Sequence, residues 1–353
     1  MEPIKVAVIG CGTIANSAHI PAYMKNEKAE IKYFCDIIPQ RADAAVEKYG
    51  CGKAVYDYHE ILNDPEIEAV SVCTPNHMHA PISIDFLRAG KNVLCEKPAA
   101  RTYAEALTML ETQHETGKVL NIGVVNRFND SVRRIKQFID DGVLGEVYHV
   151  YVSFRSCRSI PGLGGAFTTK DIAGGGALID WGVHFLDIVM YCLGDPQPRT
   201  VSGETFCKLG KDIGGYAYRD MWAGPPIPGG TYDVEDSVTA LIRTSGPTFT
   251  IHGAWAQNID HNEMYIDFMG DKGGIRLQYG ANFEVFTTMC GSLVKYEPEF
   301  KMNNHFQNEI DAFVRSVQTG ERLPSHIDTV AVTARMMQAI YDSAAQHREI
   351  VLG

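Results

Sequence analysis

The sequence predicts an α/β protein with a doubly wound parallel sheet at its N-terminus and a large open, mostly antiparallel sheet in a C-terminal α+β domain. Two observations predict this. From residue 4 to about 124, short apolar runs alternate with helical stretches, which is typical of a parallel sheet with helices on both faces. After about residue 125, β-rich runs follow one another through short turns, as in antiparallel sheets. We therefore predict a first domain at 1–124 and a second at 125–353.

The first domain alternates strands and helices over its whole length. Strands are predicted at residues 4–9, 31–35, 69–73, 92–95 and 119–125. Helices are predicted at about 17–26, 39–49, 58–63, 78–89 and 103–117. Three residues support these bounds, because Gly50 and Gly90 suit the left-handed position after a helix and Thr102 can cap the helix that follows it.

The second domain opens with a helix at about 129–141 and then becomes rich in strands. These strands are predicted at residues 146–154, 200–207, 236–243, 247–257, 263–269, 274–279, 282–288 and 292–296. Short connections with Gly or Asp predict hairpin turns at 244–246, 270–273 and 279–281. Two helices, at about 304–319 and 326–346, close the chain.

Two segments of the second domain resist assignment. The segment from Arg155 to Gly176 is rich in Gly and hydroxyl residues, and the segment from Tyr216 to Asp233 contains Trp222-Ala223-Gly224-Pro225-Pro226. Loops of this length are usually functional or lie at an interface. The alternative is that both are disordered surface insertions, and the sequence leaves the two interpretations open.

The composition argues against several classes of protein. The formal net charge is -11 and the sequence has no basic patch, so no nucleic-acid partner is expected. The chain has no run of about twenty apolar residues, so no membrane span is expected. A strand that begins at residue 4 leaves no room for a signal peptide, and nine cysteines without paired spacing indicate reduced thiols in a cytoplasmic protein. His77 and His79 beside Cys73 form a poor ligand set, so no metal is expected.

The first forty residues carry a nucleotide-binding pattern. The strand Lys5–Ile9 leads directly into Gly10-Cys11-Gly12-Thr13-Ile14-Ala15, and Asp36 closes the next apolar run. Gly10 permits a tight turn, and Gly12 lets the backbone approach a pyrophosphate at the start of the next helix. Strand, glycine-rich turn, helix, strand and acid are the dinucleotide-binding fingerprint of a Rossmann domain. The alternative is an ordinary glycine turn in a βαβ unit.

Two further motifs stand at strand ends of the first domain. Thr74-Pro75-Asn76-His77-Met78-His79 follows one predicted strand, and Glu96-Lys97-Pro98 follows the next. In a doubly wound sheet ligands bind outside the carboxyl ends of the strands, so both motifs should face the crevice of the glycine turn. Lys97 there can have its pKa shifted and can reach a reacting oxygen. A surface lysine in a turn is the alternative.

The stretch Gly174–Asp187 joins a glycine run to an apolar helix. On this helix Asp180, His184, Asp187 and Tyr191 recur at spacings of 4, 3 and 4, which places them on one polar stripe. Asp180 lies one turn before His184 and can orient its imidazole or raise its basicity. The alternative is a histidine that is merely hydrogen-bonded in the core.

These four motifs, in this order, resemble those of the glucose–fructose oxidoreductase / inositol 2-dehydrogenase (Gfo/Idh/MocA) family. That family carries GxGxxA, TPNxxH, EKP and GGGxLxDxGxHxxD, and the resemblance covers essentially the whole chain, including Asn126-Arg127-Phe128. It implies a Rossmann domain joined to an open, mostly antiparallel sheet. It also implies frequent dimers or tetramers built through that sheet, and NAD(P)-dependent oxidation of a sugar or polyol carbinol.

Carried over residue by residue, the resemblance makes Lys97 the catalytic lysine, His184 the acid/base and Asp180 its active-site partner. Asp36 should accept hydrogen bonds from ribose hydroxyls and repel a 2′-phosphate, so we expect NAD rather than NADP, with Arg41 as the feature that favours NADP. The residues expected to line the cofactor are Gly10, Gly12, Thr13, Ile14, Asp36, Ile37, Arg41, Thr74, Pro75, Asn76, His79, Glu96, Lys97 and Asn126.

The substrate side is less well defined by the sequence. Aromatic faces suit the apolar C–H faces of sugars, and polar groups suit their hydroxyls. The candidate substrate residues are Arg127, Arg155, Asp171, Trp181, Trp222 and Trp255. The two unassigned segments match no subgroup of the family closely enough to name a substrate, so the expected partner is a small carbohydrate or polyol.

The expected reaction is oxidation of a carbinol. His184 removes the hydroxyl proton, Lys97 stabilises the developing alkoxide, and hydride passes to NAD. One alternative is a redox-neutral glycosidase or lyase that recycles a tightly bound NAD, and another is a non-catalytic dinucleotide or sugar sensor, which would need none of these residues. Because an open sheet needs its exposed face covered, we expect a homodimer or homotetramer through the C-terminal sheet.

Overall fold

The computed structural model describes residues 2–218, 221 and 223–353, and the chain divides into two compact units. The first unit contains the chain up to Phe128 together with Asn303–Ala331, and the second contains Asn129–Met302 and Val332–Gly353. The sequence analysis placed one boundary after residue 124 and assigned everything beyond it to the second domain. In the structure, however, Asn303–Ala331 belongs to the first unit.

The first unit is built on a six-stranded parallel sheet. Its strands are β1 (Ile4–Ile9), β2 (Ala29–Cys35), β3 (Lys53–Val55), β4 (Ala69–Val72), β5 (Asn92–Glu96) and β6 (Leu120–Gly123). Their order across the sheet is β3-β2-β1-β4-β5-β6, with every pair parallel. This confirms the predicted doubly wound sheet, and its chain order reverses between β1 and β4. The short strand β3 was not predicted, because three residues carry little apolar pattern.

Helices connect these strands as predicted. They are α1 (Ile20–Lys25), α2 (Pro39–Tyr49), α3 (His59–Leu62), α4 (His79–Arg88) and α5 (Tyr103–Thr116). Gly50 closes α2 in the left-handed conformation with φ 65°, and the Thr102 hydroxyl accepts a hydrogen bond from the Glu105 N–H (3.2 Å) at the start of α5. Both predicted helix ends are therefore confirmed.

The helix His305–Thr319 completes the core of the first unit. Its residues Ile310 and Phe313 lie in one apolar cluster with Val6 and Val8 of β1. The helix packs here because its apolar side chains recur every three to four residues and need a buried partner. Sequence separation from the rest of the unit concealed this assignment.

The second unit is built on a nine-stranded sheet. Its strands are β7 (Val147–Arg155), β8 (Pro198–Phe206), β9 (Ser237–Thr244), β10 (Thr248–Ala254), β11 (Glu263–Gly270), β12 (Gly273–Gln278), β13 (Phe283–Met289), β14 (Ser292–Tyr296) and β15 (Ile350–Val351). Their order is β14-β13-β12-β11-β7-β10-β9-β8-β15. All neighbours are antiparallel except β7 and β10, and the three predicted hairpins are confirmed.

The remaining helices are α6 (Asp130–Asp140), α7 (Lys170–Ala173), α8 (Val183–Cys192), α9 (His305–Thr319) and α10 (Ile327–Gln346). One face of the second sheet is covered, because Val150, Val152 and Phe154 of β7 share an apolar cluster with Phe185 of α8 and Met336 of α10. The side chains that alternate with these core residues lie on the other face, which we call the open face. One row across the open face consists of Leu241, Thr250, Tyr151 and Asp267, which are cross-strand neighbours.

The two unassigned segments pack against each other and form what we call the loop module, residues 156–176 and 207–235. Its core includes Ile160, Leu163 and Tyr216, which share an apolar cluster with Trp255, a residue that follows β10. The Ile227 N–H donates to the Leu163 carbonyl (2.8 Å), which joins the two segments directly. The interpretation as disordered insertions is therefore wrong for the described part of these segments.

The helical stretch Lys170–Cys192 is long and apolar enough to cross a membrane by length and composition alone. However, 72% of its most apolar window is buried inside the protein. Leu178, Phe185 and Val189 of this stretch lie in the apolar cluster under the second sheet. Its apolar residues therefore serve as those of a core helix.

Candidate active site

The glycine turn after β1 has the geometry of a phosphate cradle. Gly10 has φ +93°, and a Cβ there would lie 2.6 Å from the Cys73 carbonyl oxygen, so only glycine fits. A Cβ at Gly12 would meet no described atom within 4 Å, which leaves space beside the backbone. The residues Ala15–His19 then form a π-helical turn that leads into α1. The space beside Gly12, at the start of a helical segment, fits a bound pyrophosphate.

Asp36 lies at the end of β2 and is tied to the glycine turn. One of its carboxylate oxygens accepts a hydrogen bond from the Cys11 N–H (2.9 Å), and the other accepts one from the Ile38 N–H (2.9 Å). Each oxygen keeps a lone pair that can accept a further donor. Ile37 beside it is 87% exposed. The arrangement fits a dinucleotide whose ribose hydroxyls donate to Asp36.

The motif after β4 is joined to the motif after β5 through His79. The buried imidazole of His79 contacts the Pro98 carbonyl oxygen through Nδ1 (2.7 Å) and the Thr74 carbonyl oxygen through Nε2 (2.8 Å). Burial lowers the pKa of this imidazole, while both backbone contacts oppose that shift. The ring of His79 thus contacts a backbone carbonyl of each strand-end segment and links the two segments.

Glu96 is buried at the end of β5 and orients the backbone of Lys97. Its Oε2 accepts from the Lys97 N–H (3.1 Å), and its Oε1 lies 2.7 Å from His19 Nε2. The other nitrogen of His19 lies 3.3 Å from the Ser71 hydroxyl, which contacts the Tyr23 hydroxyl at 2.8 Å. Sequence reasoning missed His19, because nothing in the sequence pairs it with an acid 77 residues away.

Glu309 of α9 is a second buried carboxyl in the first unit. Neither of its oxygens has a hydrogen-bond partner among the described residues. Burial, and to a smaller extent the charge of Glu96, raise the pKa of Glu309 well above its usual value, whereas the hydrogen bond and charge of His19 lower that of Glu96 despite its burial. Of this pair, Glu309 therefore keeps its proton to higher pH than Glu96.

The other cofactor residues predicted from the sequence lie close to these segments in the chain. Thr13 and Ile14 belong to the glycine turn, Arg41 is exposed on α2, and Asn126 is buried in a short helical turn after β6. Pro75 and Asn76 start the turn that precedes α4, and Lys97 is half-buried. Among the described residues, no group of three or more His, Cys, Asp or Glu is placed to hold a metal.

Asp180 and His184 lie at the start of one continuous helix in the second unit. The segment Leu178–Gly182 is a π-helical turn, in which the Val183 N–H donates to the Leu178 carbonyl, and α8 follows it directly. Asp180 is buried and accepts a hydrogen bond from the Trp255 indole N–H (3.2 Å). His184 is half-buried, with its ring centroid 6.3 Å from that of Tyr279.

The helix differs from its prediction in two respects. The sequence predicted an ordinary α-helix, whereas single π turns depend on local packing and carry no sequence pattern; such turns are frequent at functional sites. The predicted polar stripe also does not lie on one exposed face, because its member Asp187 is buried in the core, with 1% of its surface exposed. Of the other members of the stripe, Asp180 is buried, whereas His184 and Tyr191 are half-buried.

The structure separates the predicted substrate residues. Arg127 is 1% exposed, and its guanidinium donates to the Pro324 carbonyl (2.7 Å) and the Thr329 hydroxyl (2.9 Å). These bonds give it a structural role in the first unit. Trp255 is fully buried, Trp181 is half-buried between the main core and the loop module, and Asp171 is exposed on α7. Trp222 lies outside the described residues.

Arg155 is not brought to the helix of His184. On β7 it alternates with Phe154, whose side chain contacts the core cluster of that helix, so Arg155 lies on the open face. There its guanidinium donates hydrogen bonds to the side-chain amide oxygen of Gln257 (2.9 Å) and to the Glu263 carboxylate (2.8 Å). The sequence analysis did not assign this residue to a face of its strand, although the period of two would have indicated it.

Models of known families match most of the chain. Residues 4–124 match the oxidoreductase family with an NAD-binding Rossmann fold, and residues 132–276 match the GFO/IDH/MocA C-terminal domain. D-glucoside 3-dehydrogenase of Escherichia coli (strain K12) is 33% identical over 97% of this chain and 96% of its own length. Inositol 2-dehydrogenase of Rhizobium meliloti (strain 1021) is 27% identical over 98% of both chains.

Solved structures share the fold. A levoglucosan dehydrogenase in complex with NADH matches with a TM-score of 0.85, covers 100% of both chains and is 23% identical in sequence. At this identity the match establishes the common architecture of both sheets.

The raised pKa of Glu309 predicts how the free energy of unfolding depends on pH. Because the folded pKa of this acid is raised, the folded protein binds more protons than the unfolded chain above the ordinary value of 4.5. Stability contributed by this group is therefore lost as pH rises from there, by at most about 1.4 kcal/mol per pH unit. Glu309→Gln, which removes the titration, should raise the free energy of unfolding more at about pH 8 than at about pH 5.

Urea denaturation at both pH values measures this difference. The exposed Glu27→Gln is the matched control and should leave the pH dependence of stability as in the wild type. An equal change in the free energy of unfolding on Glu309→Gln at both pH values would contradict the raised pKa of Glu309.

Proposed function

The chain belongs to the GFO/IDH/MocA oxidoreductase family, and we propose that it oxidises a secondary alcohol of a sugar, glycoside or cyclic polyol with NAD as the hydride acceptor. The observation that carries the substrate class is the similarity to D-glucoside 3-dehydrogenase along 97% of this chain. The redox-neutral glycosidase or lyase is not favoured, because the named relatives are dehydrogenases.

The first unit is suited to hold NAD. The Gly10 turn and the space beside Gly12 fit the pyrophosphate, and the lone pairs of Asp36 fit the ribose hydroxyls. A carboxylate at Asp36 also supports NAD over NADP, because it would repel a 2′-phosphate. When bound, NAD supplies the ring carbon that accepts hydride.

The chain's own residues supply the proton chemistry. We assign His184 as the base that takes the hydroxyl proton, and Asp180 as the carboxylate that stabilises the resulting imidazolium. The indole N–H of Trp255 fixes one oxygen of Asp180, which limits its rotation. Lys97, whose backbone is held by Glu96, contributes a cation that stabilises the developing alkoxide.

The proposed substrate contacts are fewer than the sequence suggested. Trp181 and Asp171 remain candidates, because one is half-buried beside the loop module and the other is exposed. The burial of Arg127 and Trp255, and the open-face position of Arg155, support structural roles for these three residues.

The test is production of NADH by the purified protein. NAD or NADP is supplied with methyl β-D-glucopyranoside, levoglucosan or myo-inositol, and absorbance of the reduced cofactor is followed. A net rise with one of these and NAD is the expected result. Consumption of a glycoside without net NADH, by protein that retains bound nucleotide, would instead support the redox-neutral reaction.

Substitution of the two proposed catalytic side chains should separate chemistry from cofactor binding. Lys97→Ala and His184→Ala are expected to lower kcat by roughly 10²–10⁴-fold, because each removes a group that acts in the transition state. NAD affinity, measured by calorimetry, should stay within a few-fold of the wild type. Lys25→Ala and His261→Ala, at exposed positions, are the matched controls. Retention of wild-type turnover by both site variants would remove the assignment.

We also propose that the open face of the second sheet is the contact between copies of this chain, in a cytoplasmic dimer or tetramer. Tyr151 stacks loosely with His252 and Tyr265 at centroid distances of 5.6 and 5.9 Å, so aromatic surface is concentrated there. Leu241 is half-buried on the same face. A sheet face of this composition is stabilised when a partner covers it.

A charge in this surface should therefore separate the copies. Leu241→Arg is expected to convert the wild-type oligomer into a monomer in light scattering after size exclusion, because the contact would bury an unpaired charge. Met24→Arg, an equal change at a 48%-exposed position of the first unit, should leave the mass unchanged. A monomeric wild type, or an intact Leu241→Arg oligomer, would contradict the proposal.

A further inference from the structure

The buried carboxylate of Glu235 holds the backbone at the start of the helix that carries Asp180 and His184. Its Oε2 accepts a hydrogen bond from the Gly176 N–H (2.9 Å), and its Oε1 accepts one from the Leu178 N–H (2.9 Å). The Ala177 N–H, between these two, donates to the backbone carbonyl of the same Glu235 (3.2 Å). One residue thus accepts hydrogen bonds from three consecutive N–H groups.

These N–H groups would otherwise have no acceptor within their helix. The first N–H groups of any helix lack an intrahelical partner, and a negative charge placed there also interacts favourably with the helix dipole. A side chain of the helix itself usually provides the cap, but here the acceptor comes from a residue 57 to 59 positions later in the chain. The start of the helix is therefore anchored to the irregular segment immediately before β9.

Tyr341 of α10 completes this arrangement. Its hydroxyl donates to Glu235 Oε1 (2.9 Å), so the carboxylate oxygen that holds Leu178 is itself held. The packing is close, because a Cβ at Gly175 would lie 2.1 Å from the Tyr341 hydroxyl and one at Gly176 would lie 2.0 Å from the Glu235 carbonyl oxygen. The glycine run is therefore required by contacts within the second unit.

The same segment also orients the side chain of Asp180. The Asp180 N–H donates to the Gly176 carbonyl (3.0 Å), and its carboxylate accepts from the Trp255 indole. The backbone N–H of Trp255 in turn donates to the carbonyl of Asp236, the residue after Glu235 (2.8 Å). The backbone and the side chain of Asp180 are thus both connected to residues 235–236 by short chains of hydrogen bonds, through Gly176 and Trp255 respectively.

We propose that Glu235 is a positioning residue for the reaction: its carboxylate fixes the helix start so that Asp180 and His184 hold their working geometry. This inference rests on the proposed function of those two residues. Glu235 itself is not a catalytic residue, because it is buried and both of its oxygens are engaged by the backbone and Tyr341.

Glu235→Gln tests the inference, because an amide keeps the shape of the side chain but has one acceptor oxygen for donors that approach from both sides. Hydrogen–deuterium exchange of the peptide spanning 175–182 should become about tenfold faster or more, since a buried N–H loses its partner. With the glycoside or polyol that the wild type oxidises, kcat should fall about tenfold, while KM for NAD changes less than about twofold. Unchanged exchange, or unchanged kcat, would overturn the proposal.

Asp236→Asn is the matched control. The buried Asp236 carboxylate accepts, through Oδ2, from the N–H groups of Lys208 (2.7 Å), Leu209 (2.5 Å) and Gly210 (3.2 Å). An amide oxygen in that place is a weaker acceptor than a carboxylate, so the replacement weakens bonds of the same kind in another segment. It should accelerate exchange at 208–210 and leave 175–182 as in the wild type. Equal acceleration of 175–182 by both variants would show general loosening and overturn the proposal.

Tyr341→Phe keeps the test decisive if Glu235→Gln does not fold. It retains both backbone bonds to Glu235 and removes only the hydroxyl, so exchange at 175–182 should rise about twofold, with kcat changing in the same direction as stated above. No change in exchange would overturn the proposal. If the wild type oxidises none of the three probes, the proposed function fails, and the exchange measurements alone decide whether Glu235 anchors the helix.

Discussion

The parallel pairing of β1 with both β2 and β4 is the constraint on which the first unit depends. Because all three strands run the same way, the segments after them emerge at one edge of the sheet, and these segments contain Gly10, Asp36 and Thr74. The pairing is also tight enough to select residues, since the Cys73 carbonyl after β4 leaves no room for a Cβ at Gly10. Glycine at position 10 is therefore a packing requirement of the sheet, in addition to its proposed part in binding a pyrophosphate.

Buried carboxylates perform a common task in both units. Asp36, Glu96 and Glu235 each accept hydrogen bonds from backbone N–H groups of a segment that carries proposed cofactor or catalytic residues. A charged acceptor forms stronger hydrogen bonds than a neutral one, and burial prevents water from competing for the same donors. Glu309 lacks such donors among the described residues, and burial raises its pKa well above the usual value.

Much of the fold and the site could be predicted because the relevant signals are local. The alternation of apolar runs identifies β1, β2 and β4, and the residues that follow them are legible as motifs. Contacts between distant residues have no such signal: His19 meets Glu96 across 77 positions, and Glu235 meets Gly176 across 59. The π turns at Ala15–His19 and Leu178–Gly182 also escaped prediction, because they arise from packing around small residues and not from a periodic pattern.

The half-buried Trp181 connects the start of the helix with the loop module in the second unit. Its side chain packs against the core cluster under the sheet and against the cluster of the loop module. Trp181 follows Asp180 in sequence, and Trp255 of the second cluster donates a hydrogen bond to Asp180. Packed interiors transmit changes in volume, so substitutions in the module act on the surroundings of Asp180 without altering the motifs themselves. Trp255 belongs to the same cluster as the module's core and donates to Asp180, so the proposed carbohydrate contacts and the proposed proton chemistry depend on one packed region of the second unit.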